Sequence, residues 1–135
     1  MERFLNMPCD PSQLSPLTLA FIGDTVYDLF IREKLVCQAN RPVKKLHNLA
    51  ASRVNAASQA KSAKKLMEVL TEEELSVLKK GRNAHTNHKA KNMSESDYHM
   101  ATGFETLFGW LYLGGNIERL RELFELIEKE AEKEE

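Results

Sequence analysis

Apolar residues recur at helical spacing along most of the chain, and no segment alternates as a half-buried strand does. Ser15 followed by Pro16 is typical of a helix start, because serine can cap the first turn and proline suits its first position. Leu14 can also staple onto Leu19. The pattern that follows predicts a helix to about Val36, the longest of the predicted helices.

The later segments predict further helices with recognisable starts. Pro42 opens a segment in which apolar residues continue at helical spacing through Ala57. Thr71 to Glu74 is a capping box before a short helix that should fade by about Lys80. Ser94 or Ser96 is the predicted cap of the next helix, which should end near Gly114-Gly115. Asn116 is the predicted cap of the last helix. We therefore predict an all-α fold of about five to seven helices.

Length and composition are those of one soluble globular domain. The chain has 135 residues, of which 42% are hydrophobic and 29% charged. Residues 1–13 should form an irregular lead-in, and residues 128–135 an acidic tail that is frayed and solvated. No apolar run approaches the roughly 18–20 residues of a membrane span, and no signal peptide is evident, so we expect a cytoplasmic protein. Cys9 and Cys37 lack metal spacing and should be reduced thiols.

Charge is unevenly distributed although the net charge is only −1. The stretch from Lys79 to Lys91 contains no acid, whereas Glu122 to Glu135 contains seven acids and two lysines. The basic stretch is either a flexible connector or a surface that captures RNA phosphates. Its candidate RNA-binding residues are Lys79, Lys80, Arg82, Asn83, His85, Thr86, Lys89 and Lys91. A second basic set is either a solvated face or another phosphate track, and it comprises Lys44, Lys45, Arg53, Lys61, Lys64 and Lys65.

Two acids interrupt otherwise apolar helical runs. Asp24 lies among Phe21, Ile22, Val26 and Tyr27, and Glu105 is the one acid between Met100 and Leu111. A carboxylate on a buried face is costly unless it is paired. Each acid could be a satisfied structural residue or face solvent. Alternatively, the two could converge from different helices and hold a hard cation such as Mg²⁺.

The residues around these acids resemble a known family. The run Phe21-Ile22-Gly23-Asp24-Thr25-Val26 resembles the signature helix of ribonuclease III, and the segment from Ala101 to Leu113 resembles its second acidic helix. The closest resemblance is to the short form, Mini-ribonuclease III, which has the catalytic domain and no double-stranded-RNA-binding domain. The likeness extends from about Leu14 to Leu126. The pair of motifs in this order is more specific than the first motif alone.

The resemblance implies an endoribonuclease with the ribonuclease III helical fold and a divalent-metal site. Asp24 and Glu105 would be the catalytic and metal-binding residues for Mg²⁺, with Mn²⁺ as a possible substitute. At two positions where full-length ribonuclease III has further acids, this chain has Ala20 and Thr102. Water would therefore complete the metal shell, and the number of metal ions per site stays open. Asp28, one turn beyond Asp24, could assist.

The resemblance also implies a substrate and an assembly. Gly81-Arg82-Asn83-Ala84 matches a basic segment implied in double-stranded RNA binding. Phe21 falls where the family places a dimer contact, and its alternative is an ordinary core residue. A homodimer would set two sites across one duplex, and the implied role is maturation of the 23S ribosomal RNA precursor.

Other functions are consistent with parts of the pattern. A non-catalytic RNA-binding module could have kept the fold, and would not cleave RNA in the presence of metal. A helical adaptor protein would show neither cleavage nor salt-sensitive RNA binding. The four histidines lack zinc-site spacing. The sequence also lacks the Glu-x-x-His pair that is typical of a di-iron helical bundle.

Overall fold

The computed structural model describes residues 2–84 and 94–133, and within these ranges it contains six α-helices, a single 3-10 turn and no strand. The helices are α1 Pro16–Gln38, α2 Val43–Val54, α3 Ala56–Leu66, α4 Glu72–Arg82, α5 Glu95–Leu113 and α6 Ile117–Lys133. The 3-10 turn, Pro11–Gln13, interrupts the lead-in that we expected to be irregular. The all-α prediction is confirmed. Within the described ranges, no helix is long and apolar enough to cross a membrane.

Helix α5 lies at the centre of the fold, with α1, α3 and α4 packed around it. It is buried on nearly all sides, as expected for a helix that is apolar all round. Tyr27 of α1 meets Phe104 and Phe108 of α5 edge-on, with ring centroids 4.8 and 5.5 Å apart. An acid within this helix, Glu105, is therefore in an unusual environment.

The predicted helix starts are confirmed where the cap is local. The Ser15 side chain accepts a hydrogen bond from the Thr18 amide, so α1 begins as expected. Thr71 and Glu74 form the capping box that starts α4. Ser94, rather than Ser96, caps α5. These contacts span three residues, so the sequence determines them directly.

Two predicted helix boundaries were wrong. The segment after Pro42 breaks at Asn55, whose side chain accepts from the Ser58 amide and starts α3 as a separate helix. Ala57 consequently lies on an exposed face. Helix α4 continues past Lys80 to Arg82, because Gly81 is buried against α5 and extends the packed face.

The expected frayed tail was also wrong for residues up to Lys133, where α6 ends. Glu128 is buried and forms ion pairs with Lys34 of α1 and Arg53 of α2. Burial alone would raise the pKa of Glu128, but the hydrogen bonds from Arg53 and Lys34 lower it below its usual value. Lys65 of α3 adds an ion pair to Glu130 at 3.1 Å. These contacts tie the last turns of α6 to three other helices.

Glycines let α1 and α5 touch backbone to backbone. A Cβ atom on Gly23 would overlap the Glu105 carbonyl oxygen and lie 2.8 Å from the Gly109 amide nitrogen. A Cβ atom on Gly109 would in turn overlap the Leu19 carbonyl oxygen. These two glycines therefore allow α1 and α5 to approach each other closely.

A second glycine pair brings α4 close to α5. A Cβ atom on Gly103 would lie 2.6 Å from the Leu78 carbonyl oxygen and 3.1 Å from the Arg82 amide nitrogen. A Cβ atom on Gly81 would lie 2.9 Å from the Gly103 Cα atom. The basic end of α4 is thereby fixed against α5.

Replacing Gly23 by alanine tests the first contact. Alanine is favoured over glycine inside a helix by roughly 1 kcal/mol, so an unconstrained site would gain stability. Here the added methyl group must push α1 away from α5, and we expect a loss of about 2 kcal/mol or more in the free energy of unfolding. Urea denaturation measures the change, with Thr25→Ala on the exposed side of α1 as the control. A Gly23→Ala variant as stable as the wild type would contradict the contact.

Candidate active site

The contact between α1 and α5 brings Asp24 beside Glu105. Asp24 directly follows Gly23, and the Glu105 carbonyl is the group against which Gly23 packs. Because successive helical residues turn by about 100°, Gly23 faces α5 while Asp24 points towards solvent. The possibility that Asp24 lies on a buried face was wrong. Glu105, by contrast, is only partly accessible.

The two carboxylates form a like-charge pair. Burial, then the negative charge of Asp24, then a hydrogen bond with Asp24 raise the pKa of Glu105 to about 8. Within residues 2–84 and 94–133, no cationic side chain makes an ion pair with either acid. The pair therefore has the charge and the oxygen donors that a hard divalent cation requires.

Nearby side chains do not enlarge this set of ligands. In the described part of the chain, no group of three or more His, Cys, Asp or Glu side chains could hold a metal. Ala20 and Thr102 are both buried, and the Thr102 hydroxyl donates to the Tyr98 carbonyl at 3.0 Å. Asp28 accepts hydrogen bonds from Arg32 Nε at 3.0 and 3.1 Å. A bound cation would therefore have two protein carboxylates, with water or substrate oxygens completing its shell.

The basic end of α4 packs on α5, the helix that carries Glu105. Gly103, which packs on the Arg82 backbone, is two residues before Glu105, or about 3 Å along the axis of α5 and about 200° around it. Lys79, Lys80 and Asn83 are exposed, and Arg82 Nε donates to the Asn83 side-chain oxygen at 3.3 Å. The other predicted RNA-binding residues, His85, Thr86, Lys89 and Lys91, lie outside the described residues.

Thr106 is a positioning residue that the sequence analysis missed. Its hydroxyl donates to the carbonyls of Thr102 and Pro16, at 2.8 and 3.1 Å, and it packs against Gly81. It thus joins the start of α1 and the end of α4 on α5. The small residues Gly103, Thr106 and Gly109, three apart along one helix, were the signal that could have revealed this junction.

Phe21 is not a core residue, so that alternative was wrong. Its side chain is 83% exposed, and Leu17, one turn earlier on α1, is 40% exposed. Phe21 precedes Asp24 by three residues, so the two side chains are neighbours on the surface of the helix. An exposed apolar patch thus adjoins the acidic pair.

Comparison with known proteins identifies the family of this chain. The family model described as "Ribonuclease III domain" matches residues 17–116, a range that contains both acids. The chain belongs to the ribonuclease III family. The Mini-ribonuclease 3 of Thermoanaerobacter is 49% identical over 84% of this chain and 80% of its own length. The Mini-ribonuclease 3 of Clostridium tetani is 44% identical over 87% of this chain and 79% of its own length.

A solved structure agrees with this membership. The crystal structure of a Fusobacterium nucleatum protein superposes with a TM-score of 0.80 and 28% identity, covering 92% of this chain and 99% of that one. The ribonuclease III-like helical fold expected from the sequence is confirmed, as is the prediction that the chain is an endoribonuclease.

The raised pKa of Glu105 predicts how this ribonuclease III domain responds to pH without metal. Between its ordinary pKa of 4.5 and about 8, Glu105 holds a proton in the folded chain but not in the unfolded one. The free energy of unfolding should therefore fall as pH rises through this window. Glu105→Gln removes the effect, so in EDTA its Tm should exceed that of the wild type by a few degrees at pH 9 and match it at pH 4.

The exposed acid Glu125 supplies the control, since Glu125→Gln should follow the wild-type Tm at both pH values. Parallel Tm profiles for Glu105→Gln and the wild type would show that the folded environment does not disfavour the charged Glu105.

Proposed function

We propose that this chain is a Mg²⁺-dependent endoribonuclease that cuts double-stranded RNA as a homodimer and matures the 23S ribosomal RNA precursor in the cytoplasm. The observation that carries the metal-dependent step is the pairing of Asp24 and Glu105 without a cationic partner in the described part of the chain. The substrate class is supported by the relatives, which are named Mini-ribonuclease 3, and by the resemblance of the two acidic helices to that family.

The two acids have different tasks because their environments differ. Glu105 is held by the backbone of α5, which Gly23 pins against α1, so its carboxylate is preorganised and partly desolvated. Asp24 faces solvent and is the carboxylate that an approaching RNA phosphate meets first. Asp24 and Glu105 would hold a divalent cation, which would supply positive charge for the phosphodiester and acidify water. Glu105 would have to lose its proton for the cation to bind.

The basic end of α4 holds the substrate. Lys79, Lys80 and Arg82 neutralise phosphates, and Asn83 donates to phosphate or to a 2′-hydroxyl across the shallow minor groove of A-form RNA. We assign the same role to His85, Thr86, Lys89 and Lys91. The support is the packing of Gly81 and Arg82 on α5, the helix that carries Glu105.

The homodimer uses the exposed apolar patch of Leu17 and Phe21 on α1. Burying these side chains against a second copy removes apolar area from water. A two-fold axis also matches the antiparallel strands of a duplex, so each protomer cuts one strand.

Neutral variants of the two acids test the catalytic role. Asp24→Asn and Glu105→Gln keep side-chain shape and remove charge, so each should lower cleavage of a long RNA duplex at least about 100-fold, since a lost charge-stabilising group typically costs that much. Helical content and RNA affinity in EDTA should change little. A cleavage assay with and without Mg²⁺ measures the effect.

Asp28→Asn is the matched control, because Asp28 is paired with Arg32 and should not bind the metal. Near wild-type cleavage by Asp24→Asn or Glu105→Gln would remove that residue from the site. Duplex binding without any Mg²⁺-dependent cleavage by the wild type would instead indicate the non-catalytic RNA-binding module.

Phe21→Glu tests the assembly. A charge within the apolar patch should convert a dimer into a monomer, because burying an unpaired carboxylate is strongly unfavourable. Light scattering across a concentration series measures the molecular mass, and Thr25→Glu on the same helix is the control for charge alone. A wild-type monomer that still cuts both strands together would overturn the two-site arrangement.

A further inference from the structure

Helices α2 and α3 lie in the longest stretch of the chain that contains no acid. Residues 34–67 contain eight lysine and arginine side chains and no acid, whereas the rest of the chain contains the other eleven cations and all 20 acids. Part of this charge stabilises the fold, since Lys34 and Arg53 pair with Glu128. Lys44, Lys45 and Lys61 are exposed. The local excess of positive charge is hidden by the net charge of the whole chain.

The outer polar residues of α2 and α3 follow one another at helical spacing. On α2, Lys44, Asn48 and Ser52 are each four residues apart, and on α3 Ser58 and Ser62 continue the series. The Ser58 hydroxyl donates to the Ser52 carbonyl at 3.1 Å, so the two series meet. We call this set, completed by Lys45, Lys61 and Lys65, the α2–α3 row. Its two helical parts together extend about 20 Å.

Two surface grooves coincide with the row. One, of about 550 Å³, is lined by the α2 members together with Pro42 and Leu49. The other, of about 540 Å³, includes Ser58, Lys61, Ser62 and Lys65 on one wall and residues of α6 on the opposite wall. Glu130 of α6 pairs with Lys65 across this second groove at 3.1 Å, so the part on α2 has the less compensated charge.

We propose that the α2–α3 row is a second contact for the RNA backbone, which binds duplex beyond the portion held at the Asp24–Glu105 site. Ammonium, amide and hydroxyl groups are the donors that bind phosphate oxygens, and such contacts carry no sequence preference. Protein interfaces, in contrast, are centred on buried aromatic or aliphatic anchors, and the groove on α2 has only Pro42 and Leu49 as apolar lining, with no aromatic residue. This inference rests on the proposed function, because it assumes an RNA duplex as substrate.

A series of duplexes of increasing length tests the proposal, measured by fluorescence anisotropy in EDTA so that no cleavage occurs. Lengths from about 12 to 30 base pairs bracket the roughly 16 base pairs that a compact RNA-binding domain spans. Affinity of the wild type should rise with length. In Lys44→Gln/Lys45→Gln, affinity for the longest duplex should fall several-fold, and the log–log salt slope should drop in magnitude by somewhat under about two units.

Two control variants each remove two positive charges at another place on the surface. Arg121→Gln/Lys129→Gln on the exposed side of α6 should bind every duplex like the wild type. Lys79→Gln/Lys80→Gln at the end of α4 should weaken binding at every length. Wild-type affinity of the Lys44→Gln/Lys45→Gln variant for the longest duplex would overturn the proposal. An equal loss in the α6 variant would also overturn it, because net charge would then explain the effect.

A cleavage assay of the shortest duplexes with the wild type and Mg²⁺ distinguishes failure of the proposed catalytic function from failure of the proposal for the α2–α3 row. If no duplex is cut, the proposed function fails. If short duplexes are cut while affinity does not depend on length, the catalytic function stands and the α2–α3 row has no part in RNA binding.

Discussion

The backbone contact between α1 and α5 is the constraint on which the site depends. Gly23 and Gly109 bring the two helices closer than any side chain would permit, and the Glu105 carbonyl lies within that contact. The position of the Glu105 backbone is therefore fixed by main-chain packing. Asp24 receives its position from the same contact, since it is the next residue after Gly23. A metal site built on rigid helices in this way is preorganised by the fold itself.

The same contact makes the metal-free site unfavourable. It sets a partly buried carboxylate beside another acid, and the raised pKa of Glu105 reports that cost. Two buried acids elsewhere, Glu128 and Glu74, behave in the opposite way. Glu128 is held by Lys34 and Arg53, and hydrogen bonds from Arg119, at 2.8 and 2.9 Å, lower the pKa of Glu74. In the described part of the chain, Glu105 is thus the half-buried acid without a cationic partner, at the place where an external cation could compensate it, and such a local cost is a common relation between activity and stability.

Local contacts explain which features the sequence predicted. Ser15, Thr71 and Ser94 cap helices through bonds to residues three positions on, and such signals were sufficient. The break at Asn55 uses an equally local cap, yet continuous apolar spacing obscured it. The last turns of α6 and the exposure of Asp24 depend on partners distant in sequence. The residue pattern offered the pairing of Asp24 with Glu105 as one alternative, and the family resemblance favoured it, because nothing in the periodicity relates residues 81 positions apart.

Assembly and chemistry share the exposed face of α1. Phe21 and Asp24 are three residues apart on it, while the opposite face of the helix carries Gly23 and packs on α5. In the proposed homodimer, a second copy that covers Phe21 also limits how water and RNA reach Asp24. The same contact would desolvate the carboxylate pair further, which strengthens its interaction with a bound cation. Dimerisation would then affect catalysis directly, because it would remove water from the exposed face of α1 that carries Asp24. It would also set two sites across one RNA duplex.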